Sequence, residues 1–305
     1  MQILAGVGAA GRVSVAGYFG GGNDGVNVSG IDKITFPADT KTTLVATLTS
    51  ARRLLGGMSD SGVAGYFGGG FAPSETNGID KITFPADTKT TLSATLTSPV
   101  AYVGAMANSG VAGYFGGGND GNNLTRIDKI TFPADTKTTL VAVLSTDRRV
   151  LGGMANVGVA GYFGGGVGTL GELSSIDKIA FPADTRTTLS AALTIGAQEI
   201  NAFADSGVAG YFAGGYGGGY LSGIDKITFP ADTKTTLVAT LTTGRSNTGQ
   251  MADSGVAGYV GGGYGGATIS GIEKITFPAD TKTTLTATLT TARSALTGFA
   301  DCGVF

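Results

Sequence analysis

Apolar and polar positions alternate along this chain in short runs, each broken by glycine or proline. In Thr88–Leu96, residues Thr90, Leu92, Ala94 and Leu96 fall on one face and Thr91, Ser93 and Thr95 on the other. A period of two is that of a half-buried β-strand. GIDKITF (Gly78–Phe84) alternates in the same way, and SGVAGYFGG (Ser61–Gly69) sets aromatic and β-branched residues before a glycine run. LLGGMSD (Leu54–Asp60) is short and glycine-rich. No segment has helical periodicity, so the pattern predicts strands alone.

The same unit recurs six times. VAGYFGGG begins at Val15 and returns at Val63, Val111, Val159, Val208 and Val256, with changes in the last two copies. IDK begins at Ile31, Ile79, Ile127, Ile176 and Ile224, and IEK at Ile272. FPADT begins at Phe36, Phe84, Phe132, Phe181, Phe229 and Phe277, so the spacing is 48 or 49 throughout. Turn chemistry joins the strands. Gly62 in Asp60-Ser61-Gly62 and Gly110 in Asn108-Ser109-Gly110 supply positive φ for tight hairpins. In FPADT, Pro37 is expected to fix φ at a turn's second position, with Asp39 bonding nearby backbone amides. Four antiparallel strands repeated radially form a β-propeller blade, and each blade needs a neighbour on both sides to bury its faces. Gly56, Gly57, Gly104, Gly152, Gly153 and Gly249 are expected where first strands crowd the central channel.

With these residues in place, the unit resembles a kelch repeat. Arg52-Arg53 precede strand 1, Gly68-Gly69-Gly70 follow strand 2, and Phe84-Pro85-Ala86-Asp87 follow strand 3. The family's strand-4 Trp is missing, and Leu92 stands about where it would fall. The resemblance covers nearly the whole chain. It implies an all-β, six-bladed kelch-like propeller that binds partners on the face built by the 2–3 and 4–1 joints. GYFGGG…IDKITF…DT also resembles repeat-rich structural proteins of aquatic bacteriophages, which implies a place on a virion as a surface, fibre or receptor-binding protein.

Ring closure has two candidates. GFADCGV (Gly298–Val304) aligns with the first-strand copies GMSDSGV and QMADSGV, whereas AGVGAAGRV (Ala5–Val13) matches poorly. The expectation is a propeller over residues 14–305 whose C-terminal segment 292–305 completes the blade begun at Val15. Residues 1–13 would then be an arm, packed on the rim, disordered or donated to another subunit, or alternatively the closing strand.

Composition narrows the chemistry. The 305 residues carry a net charge of −2, so no basic footprint points to nucleic acid. There are 54 glycines without a triplet period, no His, no Trp and one Cys, Cys302. Without His, the usual general base and metal ligand is missing, and one Cys allows no internal disulfide. No basic segment precedes an apolar run at the N-terminus, and no long apolar stretch follows, so a soluble chain with neither signal peptide nor membrane insertion is expected. Twelve of the 22 acidic residues lie in the repeated I-D/E-K and A-D-T motifs. Calcium at Asp32 or Asp39 is conceivable, but a turn-capping Asp and solvated Lys33 and Lys41 guarding an outer edge strand are the expected reading. No cofactor, metal or catalytic residue is expected.

Comparison among the repeats locates a candidate surface. The 1–2 and 3–4 joints barely change, while the 2–3 and 4–1 joints differ in every copy. Strand direction flips at each step, so the variable joints share one face, and loops on a rigid scaffold are where binding residues concentrate. Arg52, Arg53, Tyr102, Arg148, Arg149, Gln198, Glu199, Arg245, Asn247, Gln250 and Arg293 are expected around the channel mouth, with Tyr216, Tyr220 and Tyr264 farther out. Such residues stack on sugar rings, bond hydroxyls or suit protein interfaces. The leading expectation is a non-catalytic attachment module for a glycan or a virion protein. A structural assembly subunit, homo-oligomeric or joined through terminal strands, is the alternative, and a cryptic enzyme the third.

Overall fold

The computed structural model describes residues 15–302 as six four-stranded antiparallel sheets arranged in a ring, with no helix among the described residues. Strands are lettered a to d from the channel outward. Blade 2 sets the pattern: a, Gly56–Asp60; b, Ala64–Gly68; c, Ile79–Thr83; d, Thr88–Thr91. Blades 3, 4, 5 and 6 repeat it over 104–139, 152–188, 201–236 and 249–288. Blade 1 draws on both ends of the chain. Thr297–Ala300 is its strand a and pairs with Ala16–Gly20, followed by Ile31–Thr35 and Thr40–Thr43. The C-terminal copy of strand a therefore closes the ring. The arm expected at residues 1–13, with its alternative closing role, lies outside the described residues.

Strand d is shorter than its sequence pattern. Its ladder ends at Thr91, yet alternation continues beyond it, with Leu92 and Ala94 half-buried, Leu96 buried, and Ser93 and Thr95 exposed. In blade 6 the ladder does run on, over Thr281–Thr288.

Neighbouring blades lock through strand b, AGYFG, which is buried along its whole length in blade 2. A Cβ on Gly65 would lie 1.9 Å from the Phe299 ring of blade 1, and one on Gly68 would lie 2.5 Å from the Phe115 ring of blade 3. The two glycines are notches for side chains from opposite sides, so only glycine fits there.

The repeated polar residues form clasps between blades. The Tyr66 hydroxyl donates to Asp135 of the next blade at 2.8 Å, and Lys81 Nζ donates to the other oxygen of that carboxylate at 2.6 Å. Phe132 of the same FPADT stacks on the Tyr66 ring at 5.1 Å. The clasp recurs as Tyr18/Lys33–Asp87, Tyr114/Lys129–Asp184, Tyr162/Lys178–Asp232, Tyr211/Lys226–Asp280 and Tyr259/Lys274–Asp39, the last of which joins blade 6 to blade 1. Two expectations are corrected here. Lys33 and its counterparts are ion-paired rather than solvated, because Asp39 and its counterparts reach across to the neighbouring blade instead of capping their own turn. The turn itself has a cis Phe–Pro bond in all six copies, with the Asp at positive φ.

The carboxylate of I-D-K is a second tie. Asp80 is buried and accepts from Thr49 N at 2.9 Å, Arg52 Nη1 at 2.9 Å and Thr91 Oγ1 at 3.0 Å, anchoring the link that enters blade 2. A third tie lies at the a–b hairpins. Asp60 Oδ1 accepts from Gly110 N, Asn108 Oδ1 from Gly158 N, Asn156 Oδ1 from Gly207 N and Asp205 Oδ1 from Gly255 N, at 2.8–2.9 Å.

These environments move carboxyl groups in opposite directions. Desolvation works against the charged form of Asp32 and Asp80, but hydrogen bonds from the preceding link, with Arg293 and Arg52, hold both below the ordinary value. Burial raises Asp60 and Asp205, and pushes Asp253 up to about 6. Burial, reinforced by the Asp partner, keeps the Tyr66 phenol protonated.

Two outcomes are expected. Asp135→Ala removes the acceptor of Tyr66 and Lys81 and lowers stability by about 2–3 kcal/mol, and Tyr66→Phe lowers it by about 1 kcal/mol, both read by urea unfolding. Stability also has an acidic maximum. A carboxyl raised on folding binds its proton more tightly in the folded state, so folding gains as pH falls through the raised value, about 6 for Asp253. A depressed carboxyl does the reverse, so the contribution of Asp32 and Asp80 is lost as pH falls below their ordinary value, about 4. The thermal midpoint should rise from pH 7 to about 5 and fall below about 4; a monotonic fall from pH 7 would contradict this assignment.

Candidate functional site

On the face built by the b–c loops and the links entering strand a, blades are joined by backbone. Leu54 N donates to Ala295 O, Tyr102 N to Leu54 O, Val150 N to Tyr102 O, Glu199 N to Val150 O, Asn247 N to Glu199 O and Ala295 N to Asn247 O, at 2.8–3.2 Å. The six bonds close a circle around the channel mouth. All six residues have φ between 52° and 61°, a region that side-chain-bearing residues rarely enter. The links also bridge to the b–c loops through backbone, as in Arg53↔Phe71, Gln198↔Tyr216 and Ser246↔Tyr264. Because main-chain atoms carry these joints, side chains vary here without loosening the ring.

The arginines divide into two groups. Arg52, Arg148, Arg245 and Arg293 are buried and ion-paired with Asp80 at 2.9 Å, Asp177 at 3.3 Å, Glu273 at 3.6 Å and Asp32 at 3.2 Å. They belong to the framework, against the expectation of ligand contact, because each lies under its link with a strand-c carboxylate. Burial draws their guanidinium groups down, and the carboxylates oppose it. Arg53 and Arg149 are half-buried on the variable face. Arg53 Nη1 donates to Asn27 at 3.1 Å and its guanidinium lies 5.0 Å from the Phe71 ring. Arg149 Nη1 donates to Asn123 at 3.2 Å and lies 5.8 Å from the Tyr102 ring.

The corresponding corner between blades 5 and 6 is open. Tyr220 replaces Asn27 and Asn123, and Ser246 replaces Arg53 and Arg149. The short serine leaves a cleft of about 400 Å³ lined by Gln198, Glu199, Tyr216, Tyr220, Asn247 and Tyr264, together with Ser246 and Ser294. Tyr216 and Tyr264 each meet the Tyr220 ring edge-on, at 5.5 and 5.7 Å, and Tyr220 and Tyr264 are exposed. Ser246 Oγ donates to Glu199 Oε2 at 2.6 Å, and Gln198 Nε2 to Glu172 at 3.3 Å. The cleft thus offers aromatic faces beside a carboxylate and carboxamides, the equipment for stacking on a ring and bonding its hydroxyls.

Six of the residues singled out from the sequence meet in this cleft: Gln198, Glu199, Tyr216, Tyr220, Asn247 and Tyr264. Tyr102 and Gln250 line the channel instead, as do Glu199 and Asn247. Sequence reasoning missed Ser246, whose role is its small size. The available signal was a serine where the matching corners carry arginine.

No family model matches the sequence, and no curated protein does. A solved structure titled "Structure of YjhT" is similar, with a TM-score of 0.68 at 13% identity, over 90% of this chain and 97% of that one. That likeness supports the six-bladed propeller fold and carries no function.

The two groups of arginine should separate on mutation. Arg148→Ala removes the buried guanidinium beside Asp177, leaving the exposed Arg186 at 3.5 Å as its cation, and should cost about 2–3 kcal/mol in urea unfolding. Arg149→Ala should cost less than about 1 kcal/mol. Equal effects would contradict the division.

Proposed function

We propose that this protein is a non-catalytic binding module that takes a glycan in the tyrosine cleft between blades 5 and 6. The observation that carries the reading is the meeting of Tyr216, Tyr220 and Tyr264 on the face whose blade joints are made by backbone. Aromatic surface is free there for a ligand because the ring does not need it. Tyrosine supplies a wide apolar face and a polar tip at little cost in side-chain entropy, and Glu199, Asn247 and Gln198 supply acceptors and donors for hydroxyl groups. The resemblance to phage structural proteins supports reading such a module as a fibre or receptor-binding protein of a virion surface.

A structural assembly subunit is the second reading, and one observation favours it. Val45, Val141 and Val238 are fully exposed on the rims of alternate blades 1, 3 and 5, giving three apolar points around the disc.

A glycan array probed with wild-type protein, Tyr220→Ala and Ser246→Arg separates the readings. Ser246→Arg places in this corner the residue that blades 2 and 4 already carry there. The glycan reading expects a specific wild-type signal that falls at least tenfold in both variants, with unfolding midpoints within about 2 °C of wild type. No signal from folded wild-type protein that sediments as an oligomer would reject glycan binding in favour of assembly.

A further inference from the structure

The tyrosine cleft borders a second space. Glu199 and Asn247 line both the cleft and a cavity of about 70 Å³ at the channel mouth. Leu55, Val103, Leu151, Ile200 and Leu296 line it with apolar side chains, and Asn201, Thr248, Gln250 and Thr297 add polar ones, three of these four from blades 5 and 6. Both Asn201 and Thr248 are buried, at 5% and 2% exposure, and Asn201 Nδ2 and Thr248 Oγ1 have no hydrogen-bond partner. A buried polar atom left unpaired works against folding, and the fold does not require these two. Position 201 is glycine in blades 2, 3, 4 and 6 (Gly56, Gly104, Gly152, Gly249), and position 248 is aliphatic in every other blade (Leu55, Val103, Leu151, Ile200, Leu296). Blade 1 has Thr297 at the first position, so Asn201 is the only carboxamide and Thr248 the only hydroxyl at their respective positions, and both stand beside the cleft.

We propose that the channel mouth is a second ligand subsite, and that it takes a neutral hydroxylated group held by Asn201 Nδ2 and Thr248 Oγ1. The amide donates and the threonine hydroxyl both donates and accepts, which matches an alcohol. The Glu199 carboxylate at the rim disfavours an anion. The volume suits a hydroxymethyl or diol fragment, since one water needs about 10–15 Å³ on this measure. The proposal rests on the glycan reading only for the molecule that brings the group; the subsite itself follows from the unpaired atoms.

The test is an NMR titration of the isotope-labelled full chain with glycerol and neutral hexoses. Asn201→Gly and Thr248→Val carry residues that sibling blades tolerate, so both variants should fold. Saturable shifts are expected at residues 199–201 and 247–250, weakened at least tenfold by either substitution and surviving Tyr220→Ala. Shifts confined to the tyrosines and lost only in Tyr220→Ala would keep the cleft and overturn the subsite. Shifts confined to the channel would keep the subsite and overturn the cleft, and no shifts at all would overturn both. Thr248→Val should also raise the unfolding midpoint of the free protein by about 1–3 °C, since its hydroxyl has no partner there. A lowered midpoint would mean that the fold already satisfies this hydroxyl, and would also overturn the proposal.

Discussion

Everything in this ring depends on one contact made six times, the carboxylate of FPADT received by the tyrosine and lysine of the preceding blade. A single four-stranded blade leaves both faces uncovered and gains little by folding alone. The stacked Phe supplies apolar contact at the same seam, and the Tyr hydroxyl and Lys ammonium fix its register. Because Asp39 receives Tyr259 and Lys274, the seam between blades 6 and 1 is clasped like the other five. Pairing of Thr297–Ala300 with Ala16–Gly20 completes closure, so the ring is held both along its outer seam and through blade 1.

The repetition of one face and the variety of the other share this cause. At the a–b and c–d joints, side chains bridge the blades, so changing Asp60, Tyr66, Lys81 or Asp135 breaks a tie. At the channel mouth, a closed circle of backbone hydrogen bonds does the same work, and Leu, Tyr, Val, Glu, Asn and Ala occupy equivalent positions in it. The positive φ at these six positions is the strain that the circle holds. Recognition can be built on such a face because its side chains are spare.

Much of this was legible in the sequence. Period-two alternation and the glycine and proline breaks placed the strands, and GFADCGV marked the closing strand. The clasps were not legible, because a conserved-looking Asp in a turn reads equally as a cap, and only the geometry puts it 2.8 Å from a tyrosine in another blade. The arginines misled for a related reason. Arg52 and Arg53 are adjacent in a variable link, yet one turns inward to Asp80 and the other outward to Asn27. Asn201 and Thr248 escaped notice because single departures at the start of a short strand, or just before it, carry little weight until their surroundings are known.

The central claim is that stability and recognition use separate residues of the same repeat. The most direct measurement is urea unfolding, with glycan binding, of a triple exchange that gives the cleft the residues of its sibling corners: Tyr216→Asn, Tyr220→Asn and Tyr264→Val. The account predicts an unfolding free energy within about 1 kcal/mol of wild type and complete loss of binding. A large loss of stability would contradict it, since the tyrosines would then be part of what holds the ring together.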